Sequence, residues 1–394
     1  MNQKTNTKLS IDVINRYYYP VTAGIETFLI NVYPALYKKG WNINMHASKN
    51  TLSSKGVLKD FEVVDGVNIN RYPLRFFGYF PKIDYQNTKI VHLFNFDVFP
   101  HFYILSFSHV LKLLGKKKFT LVLSPQGGFT PEWSTFPFFF GLLKKIYHFT
   151  LGALLINHIV DYLIPISEWE KIELSKRGIV KPKLITIGNG IEEEAYENID
   201  SLASINIKNQ IKRLDRYIIQ IGRIHPIKNY ETSIHALSLL SDNIKLVIIG
   251  PIMDKEYAKK INQVVTDLNL QSRVIFLGVI TKIDKYYLIK KAQALIHTSK
   301  NESFCHAVNE GLSQGKICIV ANNTNLPFLV KNGINGYCVE TNNYREFAEN
   351  LKYVLENINS KKMQKMSEVN KKKSLKNSWN DIAMKVNKIY QQLI

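Results

Sequence analysis

Asn301 to Lys316 reads NESFCHAVNEGLSQGK, and how that stretch is bracketed decides the fold. Ahead of it, Ala294 to Ser299 is a short apolar run of the kind that forms a buried strand. Behind it, Ile317-Cys-Ile-Val-Ala321 reads as another. Within it, Ala307, Val308, Gly311 and Leu312 recur at helical spacing, and Gly315 supplies a stop. Strand, turn, helix and strand make a βαβ unit, and such units bind ligands at the carboxyl ends of their strands. Glu302 falls just before the helix and Glu310 on its first turns. Two carboxylates so placed can hold sugar hydroxyls, and the helix start between them can offer N–H groups to a phosphate. They can equally be solvated residues that complement the helix dipole.

A second stretch separates those readings. Ile218 to Ile221 is an apolar strand, followed by the loop Gly222-Arg-Ile-His-Pro-Ile-Lys-Asn229 and a helix from about Tyr230. Arg223 and Lys228 thus stand as two cations at the mouth of a second βα turn, where a diphosphate would want them. The pattern GR(x)4KN followed by ESF(x)5E resembles the retaining nucleotide-sugar glycosyltransferases of family four, the glycosyl transferases group 1. The resemblance covers most of the chain and is strongest from Tyr217 to Glu340. It implies an α/β protein of GT-B fold, two facing Rossmann-like doubly wound domains with an interdomain cleft.

The 394 residues suit two domains of nearly equal size. Residues 1–191 are expected to form the acceptor-side domain, 192–215 a polar linker, and 216–376 the nucleotide-sugar domain. A last helix, 377–394, is expected to cross back to the first domain. Strands are expected at Leu9–Ile14, Trp41–Ala47, Lys89–Phe94 and Phe119–Ser124, with a hairpin around Asp65-Gly66. Cys305, Cys318 and Cys338 form neither a disulfide framework nor a metal-binding spacing, which points to a reducing cytosol. The first residues hold no apolar signal-peptide core. Phe136 to Val160 is the most apolar region, but its lysines and histidines cut it into pieces too short to span a bilayer.

The net charge of +20 would serve an anionic surface. Without a nucleic-acid motif, the lysine-rich composition points away from nucleic acid and towards a membrane surface or plain solubility. Trp133 to Tyr147 mixes aromatics with Lys144 and Lys145. It suits an interfacial surface, although the expectation is that most of these aromatics lie in the core or line the acceptor cleft.

The resemblance assigns the site residue by residue. Arg223 and Lys228 would stabilise the departing diphosphate, supplying positive charge that other such enzymes take from a metal; no Asp-x-Asp triplet is present, and neither metal nor cofactor is expected. Glu302 would hold hydroxyls of the donor sugar, and the amides of Phe304, Cys305 and His306 would cradle the distal phosphate. Glu310 would bind the ribose. Cys305 stands where the family commonly has glycine, so the phosphate contact is expected only if this residue keeps a negative φ. In the first domain Gly24, after Ala23, and Gly127 and Gly128 would allow close approach by the donor. Gln126, His92 and Glu26 are weaker acceptor-side candidates. Gln126 takes the place of a histidine or arginine and cannot accept a proton, and His92, in an apolar strand, reads first as a core residue.

The implied activity is transfer of a hexosyl unit to a hydroxyl of a saccharide. The acceptor would be a lipid-linked saccharide in cell-envelope polysaccharide synthesis, acted on in the cytoplasm at the membrane face. A nucleotide-sugar 2-epimerase on the same fold, and a non-catalytic basic protein binding membrane or nucleic acid, are the alternatives.

Overall fold

The computed structural model describes residues 9–21, 24–50, 58–75, 78–129, 133, 137–280 and 282–394. Ala23 lies outside them. The chain divides into two compact units, residues 1–190 with 379–394, and residues 191–378.

The first unit runs β1 (Ser10–Ile14), α1 (Gly24–Lys38), β2 (Asn42–Ser48), β3 (Phe61–Val64), β4 (Val67–Tyr72), β5 (Thr88–Phe94) and α2 (His101–Leu113). It continues with β6 (Thr120–Ser124), α3 (Phe138–Phe149), α4 (Leu151–Ile159), β7 (Tyr162–Leu163), α5 (Glu168–Lys176) and β8 (Lys183–Leu184). The sheet order is β3-β4-β2-β1-β5-β6-β7-β8, parallel except for β3. Its central strands are apolar on both faces because each face is covered. Ile90 and Phe94 point into one core with α1, while Val91 and Leu93 point into the other with α2 and α4. The β3–β4 turn has Asp65 at φ 50° and Gly66 at φ 81°, the two positive values that a two-residue I′ hairpin requires.

The second unit runs α6 (Ile199–Leu202), α7 (Ile205–Leu214), β9 (Arg216–Ile221), α8 (Tyr230–Ser238), β10 (Ile244–Ile249), α9 (Lys255–Asp267), β11 (Val274–Gly278) and α10 (Lys282–Lys291). After these come β12 (Leu295–His297), α11 (His306–Ser313), β13 (Cys318–Ala321), α12 (Leu326–Leu329), β14 (Gly336–Val339), α13 (Tyr344–Glu356) and α14 (Lys361–Ser374). Its sheet order is β11-β10-β9-β12-β13-β14. The chain winds outward from β9 to β11, then returns to begin again at β12. The point of reversal, between β9 and β12, is where an open α/β sheet leaves a crevice for a ligand.

Three expectations need correction. The segment 192–215 is not an open linker. It folds into the second unit through a 3-10 turn, α6 and α7, because Ile199, Ile207 and Leu214 are buried in that core. The region around Phe136–Val160 does contain a helical run, Phe138–Ile159, that is long and apolar enough by length and composition to cross a membrane. Finally, most aromatics of α3 are exposed and do not pack in the core: Phe138, Phe139 and Phe140 are 87%, 64% and 56% exposed, while Tyr147 packs against it. The closing helix α15 (Trp379–Gln392) belongs to the first unit, where it packs along α1 and Trp41 Nε1 donates to Asn387 Oδ1 at 2.7 Å.

Candidate active site

At the reversal point of the second sheet, two loops are tied together by buried polar groups. Thr298, just past β12, donates its hydroxyl to Asn229 O at 2.8 Å, and Gln220 Nε2 donates to Thr298 Oγ1 at 3.1 Å. Lys300 N donates to Ile227 O at 2.8 Å. The loop after β9 is thereby held against the loop after β12, which fixes the base of the Lys228 side chain. Gly222 matters here: a Cβ on it would press on Lys228 Cε at 3.3 Å, and Gly250 at the end of β10 packs directly on its carbonyl.

Lys228 Nζ reaches Glu302 Oε1 at 2.5 Å, and His297 Nε2 reaches the same oxygen at 2.8 Å. Burial alone would raise the Glu302 carboxyl. The Lys228 ammonium and the His297 hydrogen bond outweigh that and hold it well below the usual carboxylate range. Glu302 is therefore a fixed anion at neutral pH. His297, fully buried, is pushed down by desolvation, with Glu302 opposing. Arg223 is exposed on the same loop as Lys228, and its guanidinium has no ion pair among the described residues.

Cys305 has φ +73°, so the stated condition of negative φ is not met. The turn into α11 demands the left-handed conformation, which glycine adopts freely and cysteine at a cost of roughly 1 kcal/mol. The thiol is buried 3.2 Å from His297 Nε2. The left-handed residue turns the chain into α11, which places the amides of Phe304, Cys305 and His306 at the helix start. Asn325 Nδ2 anchors this turn by donating to Phe304 O at 2.8 Å.

His297, Glu302 and Cys305 each bring one ligand atom to within 4.8 Å of the others, a set that could hold a metal ion. The Lys228 ammonium already sits against the carboxylate of that set, so the cluster is neutralised by the chain's own cation.

Glu310, buried on α11, is paired with Lys285 Nζ of α10 at 2.8 Å; the same ammonium meets Glu192 Oε1 at 3.1 Å, and Tyr286 donates to the other Glu192 oxygen. Burial opposes the charge on Lys285, but the two carboxylates push its pKa above its ordinary value. The sequence reading missed Lys285, Glu192 and His297 as parts of this site. Only His297 carried a local signal, a polar side chain inside an apolar strand.

The candidates of the first unit are dispersed. Gly24 opens α1 with open space at its Cα, so no backbone need for glycine shows there. Glu26 is buried, accepts from Asn15 Nδ2 at 3.0 Å, and is raised by desolvation. His92 is a buried core residue, as its place in an apolar strand suggests. Its Nε2 meets Ser124 Oγ at 2.8 Å and its Nδ1 meets Tyr390 OH at 2.5 Å, and burial lowers its pKa to about 3. Gln126 (φ +52°) and Gly127 (φ +88°) form the turn after β6. Gly128 is glycine for packing, since a Cβ would stand 2.3 Å from Asn95 Oδ1. Beneath the turn lies Glu170, which sequence reasoning did not single out. It accepts from Gly127 N at 2.5 Å and Ile166 N at 2.8 Å, and burial pushes its pKa up to about 7 against those two hydrogen bonds. The Gln126 amide nitrogen above it is buried without a partner among the described residues.

Two doubly wound units of this kind, with a crevice at the reversal point of the second sheet, are the architecture of the GT-B fold. The structure of a glycosyltransferase from Rickettsia africae superposes with a TM-score of 0.74 over 98% of this chain and 99% of that one, at 17% identity. The Anabaena protein HepE in complex with UDP superposes with the same score over 98% and 100%, at 15% identity.

In sequence, residues 203–373 match the family described as glycosyl transferases group 1. An uncharacterized glycosyltransferase of Methanocaldococcus jannaschii is 28% identical over 59% of this chain and 60% of its own length. A Campylobacter jejuni N-acetylgalactosamine-N,N'-diacetylbacillosaminyl-diphospho-undecaprenol 4-alpha-N-acetylgalactosaminyltransferase is 26% identical over 52% of this chain and 53% of its own length. The matches thus span little more than half the length of these curated relatives.

Proposed function

We propose that this protein is a retaining hexosyltransferase of family four, moving a hexosyl unit from a nucleotide-diphosphate sugar to a hydroxyl of a saccharide acceptor. The observation that carries the reading is the Lys228–Glu302 pair at the reversal point of the second sheet, with the unpaired Arg223 on the same loop. Lys228 and Arg223 bind the diphosphate and offset the charge that builds on it as it departs. Glu302, a fixed anion, accepts hydrogen bonds from the donor sugar. Glu310 offers its carboxylate to the ribose hydroxyls while Lys285 holds it in place. The bond from the anomeric carbon to the phosphate oxygen breaks, the acceptor oxygen bonds to that carbon from the same face, and its proton passes to the leaving phosphate. Two cations supply the positive charge, so the reading calls for no divalent metal or other cofactor.

The acceptor is proposed to be a lipid-linked saccharide in cell-envelope glycan synthesis. The name of the Campylobacter relative, which specifies a diphospho-undecaprenol carrier, supports this. Three free cysteines accord with work in the cytoplasm, at the membrane face.

The test is a thermal-shift panel of UDP-, GDP- and ADP-sugars with chelator present. Saturation at a hundred times the dissociation constant raises stability by about 2.7 kcal/mol. A shift with one nucleotide family, reduced in Arg223→Ala, is expected; no shift with any of them overturns the donor site. Product anomeric configuration, read by NMR after turnover, tests retention.

A further inference from the structure

Helix α3 is amphipathic the wrong way round for a soluble protein. The stripe it turns to the protein is Gly141, Lys144, Tyr147 and His148, spaced at helical intervals. Lys144 there pairs with Asp97 at 3.5 Å, and the His148 ring meets Phe96 O at 3.2 Å. The outward face holds Phe138, Phe139, Leu142, Leu143, Ile146 and Phe149, each 44% exposed or more. Leu151 and Leu154 of the adjoining α4 extend it. A contiguous apolar surface of this size on an ordered helix marks an interaction site.

Charge says with what. From Val98 to Val160 the sequence holds six lysines, at 112, 116, 117, 118, 144 and 145, against the single acid Glu132. Lys145 is exposed at the edge of the apolar face. Lys112 Nζ donates to His158 O at 2.6 Å, which ties the lysine-rich exit of α2 to the end of α4. Apolar side chains flanked by lysines match an anionic bilayer, with rings at the acyl boundary and ammonium groups among the headgroup phosphates. A second copy of the chain would bring the same lysines against each other.

We infer that the outward face of α3 and α4 seats this protein on an anionic membrane surface, inserting α3 lengthwise at the interface. The run does not cross the bilayer. It breaks at Thr150 into two helices, and Ala153, Leu155, Ile156 and Ile159 of α4 are built into the first unit's core. The inference deepens the proposal of a lipid-linked acceptor, but it is tested without donor or acceptor, so each can fail alone.

The experiment is co-sedimentation of the full-length protein with phosphatidylglycerol-containing vesicles and with pure phosphatidylcholine vesicles. Two variants accompany it, Phe139→Ser with Leu143→Ser, and Lys118→Glu with Lys145→Glu; all four positions are exposed, and circular dichroism checks that the fold survives. Expected are binding to the anionic vesicles, weakening as salt rises, and a loss of about tenfold or more in partition for the apolar pair, which removes several inserted methylene equivalents. The charge-reversal pair should lose anionic binding by a similar factor. Wild-type protein left in the supernatant, or variants that sediment as well as wild type, would overturn the inference. So would equal binding to both lipids at all salt concentrations, or a lipid-free dimer that Phe139→Ser with Leu143→Ser dissociates while no vesicle binding is seen.

Discussion

Replacing Lys228 by methionine keeps the stem that runs past Gly222 and removes only the ammonium 2.5 Å from Glu302. Glu302 would keep the His297 hydrogen bond at 2.8 Å but lose its counter-charge in a site where the two side chains are only 16% and 11% exposed. Removing one partner of a buried pair costs about 3–5 kcal/mol. The residual exposure and the surviving histidine place this one near 3 kcal/mol. Glu302→Gln leaves the ammonium facing a carbonyl oxygen, a milder loss of about 2 kcal/mol. With both changed, no buried charge is stranded, and the double variant should lose only about 2 kcal/mol, a coupling of roughly 3 kcal/mol. Urea unfolding of the four proteins measures the cycle. All four tryptophans (Trp41, Trp133, Trp169 and Trp379) belong to the first unit, so their fluorescence reports that unit while far-ultraviolet circular dichroism reports both. A coupling below about 0.5 kcal/mol, the range of independent sites, would mean that the pair does not form in solution, and the preorganised cradle for the donor would fall with it.

Arg223→Ala, at an exposed side chain with no ion pair among the described residues, should leave unfolding midpoints unchanged while weakening nucleotide-diphosphate binding by about tenfold to a hundredfold in calorimetry, the loss of one charge-assisted hydrogen-bond donor. Glu170 takes its proton more readily in the folded protein, at about 7 against 4.5 for a free carboxyl. Its contribution to stability is therefore fully present below pH 4.5 and is lost as pH rises through about 7. The first unit should lose up to about 3 kcal/mol across that window. Tryptophan-detected unfolding should show Glu170→Gln flattening the slope, and an unchanged slope would assign the dependence elsewhere. Cys305→Gly relieves roughly 1 kcal/mol of left-handed strain and forfeits a comparable amount of sulfur burial, so its midpoint should stay near wild type. Cys305→Val adds a β-branch at φ +73° and should cost more than about 2 kcal/mol.

Much of the fold was legible because both sheets are buried on both faces. Runs such as Leu246 to Ile249 and Ile317 to Ala321 are apolar without alternation, and the turns between strands carry their own chemistry, as at Asp65-Gly66. The cations and carboxylates of the proposed donor site were named from the family resemblance. Their partners were not: Lys285 on α10 and His297 at the end of β12 reach the site through tertiary packing, which leaves no periodic trace. Segment 192–215 was misread because its charges hid a helical signal, with Ile207, Ile211 and Leu214 at intervals of four and three. The direction of α3 was misread for a different reason. Periodicity shows that a helix has two faces, but not which face turns outward.

The placement of α15 also orders events in time. Trp379, Ile382, Ala383, Val386 and Tyr390 complete a core that includes side chains of β1, α1 and β2, more than three hundred residues earlier. A chain emerging from the ribosome therefore finishes its second unit, contiguous from Ile191 to Ser378, before its first. Until then the apolar flank of α1 has no cover, so the nascent first unit is the stage at which chaperones, proteases and aggregation compete for this protein.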